Sequence, residues 1–104
     1  MAVGLVMTFK GLEADRYEAI MRELGLTATG GNWPDGIISH AAGATQGGWC
    51  VVDVWESQEK FDRFLNGRLR PAFDATGGQQ EPEVIAFQVH LLHEHGNQLA
   101  RARR

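Results

Sequence analysis

The spacing of apolar residues changes along this chain, and the order of those changes leaves few folds open. Val3, Leu5, Met7 and Phe9 fall at every second position, the period of a strand. From Leu12 the spacing lengthens. Tyr17, Ile20, Met21 and Leu24 recur at helical intervals, and Gly25 stands where a helix C-terminal cap is placed. A stretch rich in breakers over 27–36, TATGGNWPDG, predicts a loop. Residues 37–45 and 49–56 then read as two strands, separated by Gln46-Gly47-Gly48, a hairpin signal. Ser57 is placed to cap a second helix, whose stripe is Phe61, Phe64, Leu65 and Leu69. Pro71 lacks an amide hydrogen and clashes with the carbonyl of Gly67, which predicts a break and a short helical piece over 72–76. Residues 83–92, EVIAFQVHLL, predict a last strand.

The order β-α-β-β-α-β predicts an α+β, ferredoxin-like domain: a four-stranded antiparallel sheet with both helices on one face. A single domain is expected over 1–95, followed by a polar basic tail over 96–104 that ends Arg101-Ala102-Arg103-Arg104. With 104 residues the domain buries a modest share of its surface, so pairing with a second copy is favoured. The net charge of -3 argues against a nucleic-acid surface. No apolar run approaches the roughly 20 residues that span a bilayer, and 2–9 lacks the marks of a secretion signal. Cys50, the single cysteine, cannot form an internal disulfide and points to a reducing compartment. A cytoplasmic protein is therefore expected. No glycine pair follows a strand and opens a helix with a lysine in place, which excludes a phosphate loop.

One residue resists the pattern. In GWCVVDVWES, Asp53 puts a carboxylate into one of the most apolar stretches of the chain, and a buried carboxylate must be received by water, a partner or a proton. Alternation places Trp49, Val51, Asp53 and Trp55 on one face and Cys50, Val52 and Val54 on the other. If the hairpin turns on Gln46-Gly47, His40 lies directly opposite Asp53; a shift by one residue makes them diagonal neighbours on the same face. The uniformly apolar face, with Cys50 as an inert core thiol, is expected to meet the helices. The mixed face, with Gln88 and His90 from the last strand, is expected to meet a second subunit across a cavity.

His40 and Asp53 are accordingly the candidate catalytic pair, a base and the carboxylate that orients it. A structural link across the strands fits the same residues. Trp49 and Trp55 are candidates to flank a flat ligand, or to pack an interface. Trp33, in the long loop, is placed either to lid a pocket or to plug the end of the fold. Gln88 and His90 complete the candidate substrate-binding set. His93-Glu94-His95 has no third ligand at metal spacing and reads as a solvated strand end, so no metal site is expected.

The block GGWCVVDVWESQEKFDRFLNGRLRPAF, the final VHLLHEH and the element order resemble the dimeric α/β-barrel superfamily over roughly 3–95, and within it the antibiotic-biosynthesis-monooxygenase group. The resemblance implies two sheets packed face to face in a homodimer, with a ligand in each subunit between the sheet and the helices or loops. It also implies cofactor-independent oxygenase, cyclase, isomerase or haem-degrading activity. The haem-degrading members resemble one another in a histidine on the second helix. Residues 57–76 hold none, so haem is not expected. Trp55 and Asn66 loosely resemble pocket residues of the quinone-forming oxygenases, without an alignment that transfers a role. The expectation is a cofactor-independent enzyme acting on an aromatic or polyketide-like metabolite, the alternative being a non-catalytic dimeric binding or accessory protein.

Overall fold

The computed structural model describes residues 1–78 and 81–94; the tail expected over 96–104 lies outside them, as does His95. Strands β1 (Val3–Lys10), β4 (Ile37–Thr45), β5 (Gly48–Trp55) and β6 (Glu83–Gln88) form one antiparallel sheet in the order β4-β5-β1-β6. Helix α1 (Ala14–Leu24) ends at Gly25, whose φ of 75° is the left-handed conformation that glycine adopts without a Cβ clash. After it, β2 (Leu26–Thr27) and β3 (Gly30–Gly31) make a small separate hairpin inside the predicted loop. The ferredoxin-like α+β fold is thus present, with a two-strand insert between α1 and β4.

The second helical region differs from the predicted break. Ser57 caps α2 (Gln58–Phe64) by accepting the Lys60 backbone N–H at 3.2 Å. The chain then continues through a π-helical turn, Leu65–Leu69, into α3 (Arg70–Ala75), where Pro71 sits in the first turn. Proline is tolerated in a first turn, where an amide hydrogen has no helical partner. The wider π turn just before it restarts the helix, so the chain carries on where a break was expected. The last strand stops at Gln88, short of the predicted 92, because its partner begins at Val3, opposite Gln88. One further bond, from Val89 N–H to the Ala2 carbonyl, ends the pairing.

The helices cover the face that carries Trp49, Val51, Asp53 and Trp55, all buried, and this reverses the expectation. The register explains the reversal. Trp55, Asp53, Val51 and Trp49 lie opposite Val3, Leu5, Met7 and Phe9 of β1, so the bulky residues of both strands share one face. Trp55 is fully enclosed between the rings of Phe61, at 5.5 Å, and Phe64, at 5.4 Å. The other face of β1 holds Gly4, Val6, Thr8 and Lys10, too small and too polar to seat two helices. Cys50 is therefore not a core thiol; it lies half-buried on the outer face. Val52, Ile85 and Phe87 are exposed there.

Candidate functional site

Hairpin geometry brings the site together first. The two-residue turn Gln46–Gly47 sets Thr45 opposite Gly48 and His40 opposite Asp53. A bulge between Ile37 and Ser39 lies beyond that pair and leaves it in register. His40 Nδ1 stands 2.6 Å from Asp53 Oδ1. The second carboxylate oxygen, Oδ2, accepts the indole N–H of Trp55 at 3.1 Å. Asp53 is thus received within its own chain, and neither water nor a second subunit is needed to hold it.

The other nitrogen of His40 has a partner that sequence pattern did not reveal. Tyr17 of α1, 23 residues away, places its hydroxyl 2.7 Å from His40 Nε2. An ionised carboxylate only accepts, so Nδ1 carries the proton; Nε2 of the neutral ring then accepts the Tyr17 O–H. Burial, then the nearby charges of Asp53 and Glu18, push the Tyr17 phenol up to about 12, so it stays protonated across the ordinary range. In sequence Tyr17 is one member of an apolar helical stripe. No sequence signal aimed its hydroxyl at Asp53, because the pattern set the Asp53 face away from the helices.

These groups form the polar wall of a cavity between the sheet and the helices. The space is about 50 Å3, lined otherwise by apolar side chains that include Met7, Leu12, Ile20, Met21, Leu69 and Phe73. That is room for roughly four waters, and about a third of the ~150 Å3 of a cavity that takes up benzene. Trp33 lies over His40 with its ring centre 5.2 Å away, and its indole N–H is anchored to the carbonyls of Thr27 and Gly30. Lys60 links the same loop to the body, with Asp35 at 3.3 Å and Glu56 at 2.9 Å. Trp33 lines the cavity. Of the other sequence candidates, Trp49 packs against Tyr17 at 4.9 Å and Trp55 braces Asp53 from the core, and neither lines the space. Gln88 and His90 are exposed and away from it, because the helices do not reach over β6. No group of three metal-ligating side chains occurs among the described residues.

No family model matches the chain, and no curated protein does. Solved structures do. SnoaB, a cofactor-independent oxygenase from Streptomyces nogalater, superposes with a TM-score of 0.63 at 18% identity, over 88% of this chain and 95% of that one. A Chloroflexus aurantiacus J-10-fl protein assigned to the antibiotic biosynthesis monooxygenases gives 0.62 at 17% identity, over 92% and 98%. A MhuD variant with two manganese protoporphyrin IX molecules per active site gives 0.55 at 17% identity, over 91% and 100%. The chain has the ferredoxin-like fold of these antibiotic-biosynthesis-monooxygenase-like proteins. A porphyrin does not fit here. Residues 57–76 bring no histidine, and both ring nitrogens of the cavity's imidazole are engaged, by Asp53 and Tyr17. No helix among the described residues is long and apolar enough to cross a membrane.

Proposed function

We propose that this chain is a homodimeric enzyme that abstracts a proton from a small hydroxylated aromatic molecule without a resident cofactor. One observation carries the reading: the Tyr17–His40–Asp53 hydrogen-bond chain ends in a cavity whose remaining walls are apolar. A base needs to be oriented and its charged form stabilised, and Asp53 does both for His40. An apolar wall suits a flat, neutral ring and disfavours a charged one, since the cavity offers an anion no free cation. Losing a proton makes the ring electron-rich. That is the common first requirement of the oxygenation, cyclisation and isomerisation chemistries, and SnoaB, an oxygenase by name, makes oxygenation the first to assay. The space is too small for a ring as it stands, so even a one-ring ligand requires Trp33 and its loop to swing aside, and a polyketide-like one requires more.

The dimer in this reading uses the outer face of the sheet, not the Asp53 face. Val52, Ile85 and Phe87 are exposed there, and Phe87 lies flat on Gly4, where a Cβ would stand only 2.2 Å from its ring. A large apolar sheet face left open to water is an interface in want of its partner.

A second, structural reading has an observation of its own. Every polar atom of the Asp53–His40 pair already has a partner within the chain, which a purely architectural link would also show. Crystals soaked with a set of one-ring phenols and enols separate the two. A compound in the cavity within hydrogen-bond reach of the Tyr17–His40 chain, lost in His40→Asn, supports the enzyme. A cavity that excludes every compound, with a melting temperature that none of them moves, retires it.

A further inference from the structure

We infer that Tyr17, and not His40, is the catalytic residue that meets the ligand, and that it makes the site select a hydrogen-bond donor. The inference rests on the proposed proton-abstracting site and identifies which atom of it touches the substrate. His40 has no free nitrogen to offer. Nδ1 is held by Asp53 at 2.6 Å, and Nε2 is covered by the Tyr17 hydroxyl at 2.7 Å. The last polar atom of the chain is the Tyr17 oxygen, and Tyr17 lines the cavity.

The direction of the hydrogen bonds decides what that oxygen can bind. Its proton points at Nε2, because a neutral imidazole whose Nδ1 donates to a carboxylate has only an acceptor left. The oxygen therefore shows the cavity lone pairs alone. A phenol or enol O–H satisfies them; a fluorine in the place of that hydroxyl does not, and leaves a polar atom unpaired in an apolar space.

The same chain accounts for the proton. The ligand O–H bond breaks and its proton goes to the Tyr17 oxygen, while the Tyr17 proton passes to Nε2. The products are a ligand oxyanion, a neutral tyrosine and an imidazolium held by the Asp53 carboxylate. Nothing is oxidised or reduced in this step. The hydrogen bonds from the ligand to Nε2 have then reversed, so Nε2–H donates to Tyr17 and Tyr17 donates to the new oxyanion, while Nδ1–H still donates to Asp53. The tyrosine is a conduit and never a free phenolate, in keeping with a phenol pushed up to about 12.

The test compares 4-methylphenol with 4-fluorotoluene, two one-ring probes of nearly one shape, of which only the first carries a hydroxyl proton. Calorimetric titration of the wild-type chain at pH 8 is expected to favour 4-methylphenol by about tenfold. The preference is expected to collapse to near unity in Tyr17→Phe. Since Tyr17 is the only tyrosine, a second measurement needs no variant: protein labelled with 13C-tyrosine has one set of ring signals, and 4-methylphenol is expected to show a nuclear Overhauser contact to it. Equal binding of both probes, a preference that survives in Tyr17→Phe, or a bound phenol without the contact to Tyr17 overturns the inference and leaves the proposed site standing. If neither probe binds the wild type, the proposed site and the inference fall together.

Discussion

A carboxylate 4% exposed in the middle of a strand is tolerated here because three side chains share its burden. His40 takes one oxygen and Trp55 the other, and Tyr17 closes the far side of the imidazole. Removing one member of a buried pair strands the other, so His40→Ala is expected to cost roughly 3–5 kcal/mol in chemical denaturation. The double change His40→Leu with Asp53→Val removes both polar partners and is expected to cost clearly less. Trp55→Phe withdraws the N–H from Asp53, for an expected loss of about 1–3 kcal/mol, and the smaller ring adds the cost of the cavity it leaves. Tyr17 can be followed directly as the single tyrosine: its absorbance near 295 nm is expected to titrate at about 12 in the folded chain, against 10.0 for an unperturbed phenol. The folded state holds this proton more tightly than the unfolded one. The stability it contributes is therefore whole below pH 10 and is lost as the pH rises through about 12, which denaturation across that window will read. A midpoint at 10 would show that Tyr17 is not buried beside Asp53.

At the scale of elements, local chemistry explains most of what forms. The Ser57 cap, the Gly25 stop and the Gln46–Gly47 turn each occupy the position their residue types predict. Gly25→Ala meets open space, with Asn32 Cβ 3.7 Å away, but at a φ of +75° it is strained and is expected to cost about 1 kcal/mol. The region after Phe64 was less legible. A proline inside a helical pattern signals a break in sequence, and only a π turn on its N-terminal side shows how the chain continues instead. The small β2–β3 hairpin was likewise invisible in TATGGNWPDG, because two-residue strands carry no period. Gly31 there approaches its own loop so closely that a Cβ would stand 2.4 Å from the Gly25 carbonyl oxygen. The hairpin and the Asp35–Lys60–Glu56 links set Trp33 over the cavity. Hydrogen bonds to Glu56 and then Asp35 hold the Lys60 ammonium above its usual range, so those links persist at alkaline pH.

For the whole molecule, the issue is the sheet's outer face. Val52, Ile85 and Phe87 are 41%, 67% and 49% exposed, and they gather on the side that no helix covers. Two copies joined there would cover them, and Phe87→Glu with Val52→Glu is expected to give a monomer in light scattering while leaving the Tyr17 titration unchanged. A wild-type chain that is already monomeric at micromolar concentration would refute the dimer without touching the cavity. The site itself lies within one copy, since each of its groups is supplied by α1, β4, β5 and the Trp33 loop.

The order of the main elements, and the sharing of one sheet face by His40 and Asp53, were legible in the amino-acid sequence alone. Both are consequences of short-range rules: period two in a strand, period 3.6 in a helix, and a two-residue turn that sets the hairpin register. Which side of the sheet is the inside was decided only in three dimensions. The composition of β5 alone pointed the wrong way, because Cys50, Val52 and Val54 look more like a core than a face with an acid in it. Helices pack where bulk from several strands accumulates, and β1 tips that choice with Val3, Leu5, Met7 and Phe9 against Gly4, Thr8 and Lys10. Tyr17 enters the site for the same reason. Its hydroxyl reaches His40 from another element, and no local period records a contact between residues that only the packing of a helix on a sheet brings together.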